Sequence, residues 1–114
     1  MVRRLVVVDN DEAVLRLLKL DLGLEGHDIV ATGMDGESGL QACAEAHPDV
    51  LVVDLRLGSG IDGIDVAQKL EGSGIRVIVY TNYITAQVVK SAASVGATVI
   101  EKGNLSALRR AIAA

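Results

Sequence analysis

The 114-residue sequence has no tryptophan and no phenylalanine, and its only aromatic residues apart from histidine are Tyr80 and Tyr83. Any core must therefore be aliphatic. A single cysteine, Cys43, leaves no internal disulfide and fits a reducing compartment. No apolar stretch approaches the roughly 18 residues needed to span a bilayer. The opening MVRRLVVVD has two arginines and a short apolar run, but Asp9 stops it well short of a signal-peptide core. Positive charge is also scarce: the net charge is −4, and no Lys/Arg cluster is dense enough for a nucleic-acid surface. These absences point to a cytoplasmic protein with no membrane partner and no direct nucleic-acid contact. By length, residues 1–114 make one domain.

Aliphatic side chains are plentiful, with half of all residues hydrophobic. Short β-branched runs at Leu5–Val8, Ile29–Ala31, Val50–Val53, Ile75–Tyr80 and Ala97–Ile100 read as strands. Three of them (LVVV, VLVV and IRVIVY) are almost continuously apolar, the pattern of strands covered on both faces. Helical stretches alternate with them: Glu12–Leu24, Glu37–Ala46, Ile64–Leu70, Ile84–Val95 and Leu105–Ala113. The first has Val14, Leu17, Leu18 and Leu22 on one side and ends at Gly23 and Gly26. The alternation predicts an α/β fold with a parallel sheet, right-handed crossovers and helices on both faces.

In such sheets ligands sit beyond the carboxyl ends of the strands. Those ends read Asp9-Asn10-Asp11, Thr32, Asp54, Thr81 and Glu101-Lys102. Carboxylates from the first and third strands would face each other, and like charges that close repel unless a cation intervenes. Hard oxygen ligands suit Mg²⁺ or Mn²⁺. A carboxylate can also attack phosphorus, given a metal on the phosphoryl oxygens, a fixed cation and a hydroxyl donor. Asp9 and Asp54 can hold the metal, Lys102 can be the cation and Thr81 the hydroxyl. Taken singly, each has a plainer role: Asp54 and Thr81 as turn or cap residues, Lys102 as a solvated lysine, Asp11 and Glu12 as first-turn acids favoured by the helix dipole. Asp62 reads as a turn acid, Cys43 as a packed helix residue, and His27 and His47 as loop or surface residues.

Four such residues in order, each at a strand end, resemble the receiver domain of a two-component response regulator. The resemblance covers essentially the whole chain, with supporting texture in DLRL after the third strand, IDGID entering the third helix and the Gly96-Ala97 step. It implies a flavodoxin-like, doubly wound (βα)5 fold with strand order 2-1-3-4-5. It implies Asp54 as phosphoacceptor, and Asp9, Asn10, Asp54 and the backbone carbonyl of Arg56 as metal ligands. Thr81 and Lys102 would contact the phosphoryl group, and Val99 would occupy the switch position. The partners implied are a sensor histidine kinase or phosphotransfer protein, and an effector domain or partner protein reached through the last two helices. Catalysis would extend only to the domain's own phosphorylation and dephosphorylation.

The departures are specific. Asn10 stands where the family usually has a second acid, which predicts weaker metal binding. The loop after Asp54, LGSG at residues 57–60, lacks the usual proline and is one residue longer, which predicts greater flexibility. Gly103 follows Lys102 where many receivers have proline, and Val99 replaces the usual aromatic switch residue. Arg56 and Tyr83, both large, fall where the family tunes phosphoryl lifetime and predict a long-lived adduct. Three other readings stand beside this one. A degenerate receiver would bind partners without phosphorylation. A flavodoxin-like nucleotide or flavin binder is opposed by acids where a Gly-rich phosphate loop belongs. A phosphatase with an aspartate nucleophile is opposed by Arg56 where its general acid belongs.

Overall fold

The computed structural model describes residues 2–114. Ten elements alternate along the chain: β1 Arg4–Val8, α1 Glu12–Leu24, β2 Asp28–Gly33, α2 Gly36–Ala46, β3 Val50–Val53, α3 Gly63–Lys69, β4 Arg76–Thr81, α4 Ala86–Ser94, β5 Thr98–Glu101 and α5 Leu105–Ala113. The strands form one parallel sheet in the order β2-β1-β3-β4-β5. The expected topology is the observed one.

Successive side chains of a strand point to opposite faces, so a run of valines feeds two cores at once. Val6, Val8, Leu51, Val53, Val77 and Val79 face one side, where Cys43 of α2, Val66 and Ala67 of α3 and Ala92 of α4 cover them. Leu5, Val7, Val50, Val52, Ile78 and Tyr80 face the other, against Leu15, Leu18 and Leu22 of α1 and Leu108 and Ile112 of α5. Burying each such aliphatic side chain contributes about 1.5–3 kcal/mol. Truncating a fully buried one, as in Leu51→Ala, costs about 2–5 kcal/mol because a cavity remains.

Helix ends carry local caps. Asp11 accepts from the Ala13 N–H and opens α1, and Asp62 opens α3 in a reciprocal capping box with Asp65. Asp11 thus serves the first turn of α1, as its sequence position suggests, whereas Asp62, read as a turn acid, is the N-cap of α3. At the other end of the sheet, Arg3 and Arg76 donate to carbonyls of the last turn of α5, with Arg76 Nη2 2.7 Å from Ile112 O. These guanidinium groups satisfy carbonyls that the helix cannot, and they sit favourably at its negative end.

Two helices differ from expectation. In α1 the buried residues are Leu15, Leu18 and Leu22, whereas Leu17 is exposed. The helix has two apolar stripes, and the one with Leu17, Leu20 and Leu24 (47%, 64% and 79% exposed) faces solvent. In α4, whose Val88, Val89, Ala92 and Ala93 read from the sequence as mostly core, only Ala92 is buried, and Val89 and Ala93 are exposed. That helix also starts later than predicted, because the Thr85 hydroxyl accepts from the Val88 N–H and holds residues 82–85 outside it. His27, read as a loop residue, is half-buried, and its Nδ1 accepts from the Arg3 N–H at 3.0 Å.

Candidate functional site

The sheet register brings the rim together. Val8 pairs with Val53, so the residues that follow, Asp9 and Asp54, leave adjacent strands side by side. The Asp54 N–H donates to Val8 O at 3.0 Å, and the Asp9 N–H to Gly33 O at 3.1 Å. On the other flank Thr81 pairs with Glu101, and the Lys102 N–H donates to Thr81 O at 3.0 Å. Three strands thus deliver Asp9, Asp54 and Lys102 to one point.

There the Lys102 ammonium bridges both carboxylates, with Nζ 2.7 Å from Asp54 Oδ2 and 2.9 Å from Asp9 Oδ2. Both acids are almost fully buried. Burial alone would lower the lysine pKa, but the hydrogen bonds to Asp54 and Asp9 and their charges outweigh it. They hold the ammonium above the ordinary lysine range, so it is charged at neutral pH. Asp9 Oδ1 accepts from the Asp11 N–H at 2.9 Å. Among the described residues, Asp54 Oδ1 alone is a side-chain polar atom that is buried with no hydrogen-bond partner. A buried carboxylate oxygen left unpaired is costly, and a cation or donor beside it would remove that cost.

A cavity of about 630 Å³ opens above this group, lined by Asn10, Asp11, Asp54, Arg56, Leu57, Gly58, Asp62, Asn82, Tyr83 and Lys102. Asn10 is exposed on its wall. The Arg56 guanidinium lies over the Tyr83 ring, 4.1 Å from its centroid, and both residues line the cavity. Leu57 is buried, and Gly58 and Gly60 take φ of +83° and +95°, a conformation that favours glycine. The backbone of Gly63 approaches so closely that a Cβ there would clash with Asp54 O, with Asp54 C at 3.0 Å and Leu55 Cα at 3.1 Å.

The predicted site residues do not all stand in one shell. Thr81 is fully buried, and its hydroxyl accepts from the Tyr83 N–H at 3.1 Å. Val99 is half-buried in β5 against the core that holds Val79. Asp11 is committed to the α1 cap. Among the described residues no three acidic, histidine or cysteine side chains converge, so the carboxylate pair is Asp9 and Asp54 alone. The donor set (two carboxylates, the Asn10 amide and nearby backbone carbonyls) is all oxygen, and the unpartnered Asp54 Oδ1 is free. These residues fit a hard divalent cation such as Mg²⁺. Sequence reasoning missed the hydrogen bond from the Gly103 N–H to the Tyr80 hydroxyl, 2.9 Å long, because Tyr80 reads as core.

Five parallel strands in this order, flanked by five helices, define a flavodoxin-like domain of the CheY-like kind. The chain belongs to the response regulator receiver domain family, whose model matches residues 5–113, and is a receiver domain of the two-component type. Among similar proteins, the DNA-binding response regulator MtrA of Mycolicibacterium smegmatis is 38% identical over 82 residues, 71% of this chain and 35% of that protein. The transcriptional regulatory protein AfsQ1 of Streptomyces coelicolor is 39% identical over 66 residues, 58% of this chain and 28% of that protein. The matches thus span about a third or less of these relatives. Among solved structures, the Thermotoga maritima response regulator TrrA, in complex with Mg²⁺ and BeF, superposes with a TM-score of 0.85 at 26% identity over 97% of this chain and 96% of that one. The receiver domain of the putative response regulator NarL from Mycobacterium tuberculosis gives a TM-score of 0.88 at 24% identity, with the same coverage, and supports the fold. Among the described residues, no helix is long and apolar enough to cross a membrane.

Proposed function

We propose that Asp54 accepts a phosphoryl group from a phosphohistidine on a sensor histidine kinase or phosphotransfer protein, and that the aspartyl phosphate changes the domain's partners. The observation that carries this reading is the state of the Asp54 carboxylate. Oδ2 is neutralised by Lys102, while Oδ1 is buried, unpartnered and at the floor of a polar cavity. An oxygen of Asp54 attacks phosphorus, the P–N bond to the donor histidine breaks, and the imidazole leaves with a proton. Asp9, Asn10, Asp54 and the Arg56 carbonyl would hold Mg²⁺ or Mn²⁺, which would neutralise charge on the phosphoryl oxygens. Lys102 shifts from carboxylate to phosphoryl oxygen. Thr81 would donate its hydroxyl proton to the same group while its oxygen accepts from the Tyr83 N–H, which couples the site to the segment leading into α4.

The adduct adds about −1.5 to −2 charge. That charge biases a two-state surface through Thr81, Val99 and the last two helices, toward an effector domain or partner protein. MtrA and its relatives are named as DNA-binding regulators, which supports a transcriptional output supplied outside this domain. The exposed stripe of Leu17, Leu20 and Leu24 on α1 supports contact with an apolar partner surface. The domain catalyses only its own phosphorylation and dephosphorylation.

The test is incubation with acetyl phosphate, with and without Mg²⁺, read by intact mass, with Asp54→Ala alongside. A Mg²⁺-dependent phosphate adduct absent from the variant supports the reading. No adduct, with beryllofluoride and Mn²⁺ also ineffective, leaves the second reading: a receiver that binds partners without phosphorylation, which Asn10 and Val99 favour.

A further inference from the structure

Tyr80 is the one aromatic ring in an otherwise aliphatic core, and it is 3% exposed. A phenylalanine would fill the same space without a polar atom to satisfy. A buried tyrosine hydroxyl costs free energy unless it finds a partner. The partner here is the N–H of Gly103, 2.9 Å away across 23 residues of sequence. The contact falls where the β4–β5 ladder has ended: the last rung is the Lys102 N–H on Thr81 O. Gly103 takes φ of +93° and, having no side chain, has nothing of its own to hold that conformation.

Lys102 therefore has a tether on each side. Its own N–H is held by the Thr81 carbonyl, and the next N–H is held by the Tyr80 hydroxyl. Both anchors come from consecutive residues of the rigid, buried strand β4. Between them the Lys102 side chain reaches across to Asp54 and Asp9 at 2.7 and 2.9 Å. We propose that Tyr80 is a positioning residue for Lys102: its hydroxyl fixes the Gly103 peptide, and so aims the ammonium at the carboxylate pair. The inference deepens the phosphoacceptor reading and rests on it for its consequence in rate. The tether itself does not depend on that reading.

The test is Tyr80→Phe in the full chain, which removes one oxygen and keeps the ring. Three readouts are needed: amide hydrogen exchange at Gly103, NMR relaxation of the Lys102 side chain, and the rate of phosphorylation by acetyl phosphate with Mg²⁺. Ile112→Val, a packing change in the same core, serves as the control for stability alone. The expected result is a Gly103 amide that exchanges faster, a Lys102 side chain that is more mobile, and phosphorylation slowed about three- to tenfold. That range corresponds to the loss of one neutral hydrogen bond. Ile112→Val should lower the melting temperature and leave Lys102 mobility and rate unchanged. If Tyr80→Phe lowers stability in the same way while Lys102 mobility stays that of the wild type, the positioning role is overturned. If the wild type takes no phosphate at all, the phosphoacceptor reading fails, while Gly103 exchange and Lys102 mobility still decide the tether.

Discussion

The Lys102 ammonium sits 2.7 Å from Asp54 Oδ2, and the same nitrogen holds the neighbouring Asp9 carboxylate at 2.9 Å. One cation thus compensates two buried anions. Removing one partner from a buried charge group costs about 3–5 kcal/mol because the rest is left uncompensated. Lys102 keeps some solvent contact, which screens its charge, so Lys102→Met should cost less than that, about 2–3 kcal/mol. Urea unfolding measures it. Added Mg²⁺ should restore part of the loss in the variant, and a variant as stable as the wild type would mean the bridge contributes nothing net.

Asn10 stands exposed on the wall of the cavity that Asp54 also lines, where a carboxylate would add a charged oxygen. Asn10→Asp should bind Mg²⁺ about tenfold more tightly, or about 1.4 kcal/mol. Without metal it should be less stable than the wild type, because a third acid adds repulsion. Titration calorimetry with Mg²⁺ reads the first effect, and unaltered affinity would place residue 10 outside the metal's ligands.

Arg56 stacks over Tyr83, and both line the cavity above Asp54. An exposed cation–π contact is worth about 0.5–1 kcal/mol. If that contact screens an acyl phosphate from water, Tyr83→Ala should speed loss of phosphate by roughly two- to fivefold. The decay of the adduct mass after removal of donor gives the rate. Decay at the wild-type rate would show that the stacked pair does not shield the bond.

Gly63 lies against the Asp54 backbone with no room for a methyl group. Gly63→Ala must push α3 away from the β3–α3 turn or twist the Asp54 peptide. The expected cost is about 1–3 kcal/mol, as for other overpacked sites, with slowed phosphorylation. A melt and an acetyl phosphate time course check the two effects, and full stability together with full rate would show that the turn yields freely.

Burial pushes the Cys43 thiol up from its ordinary 9.0 to about 11. Between those values the unfolded chain loses the proton and the folded chain keeps it. Stability therefore falls as pH rises from about 9 to about 11. Cys43→Ala should remove this contribution, so the gap between wild type and variant narrows or reverses across the window. Urea midpoints on either side of it decide the matter, and parallel pH profiles would show that Cys43 does not titrate there.

The sequence by itself determined the layers and the rim. Short, β-branched, near-continuous apolar runs alternating with helical stretches read as parallel strands covered on both faces, and the polar residue that ends each run then falls at the carboxyl edge. Asp9, Asp54, Thr81 and Lys102 were therefore legible as a set, because the link between a strand's end and the sheet's edge is local geometry. Asp11 was legible at the start of α1 for the same reason, whereas Asp62, read as a turn acid, proved to be the cap of α3. What tertiary structure decided is which partners meet. Helix α1 carries two apolar stripes, and periodicity alone cannot say that Leu15 goes inward while Leu17 stays in water. The Thr81 hydroxyl turns to the Tyr83 N–H, and the Tyr80 hydroxyl reaches the Gly103 N–H. Lys102 bridges Asp54 and Asp9, residues 48 and 93 positions away in sequence. Such contacts depend on how strands from distant parts of the chain are set side by side, and only the register of the folded sheet supplies that.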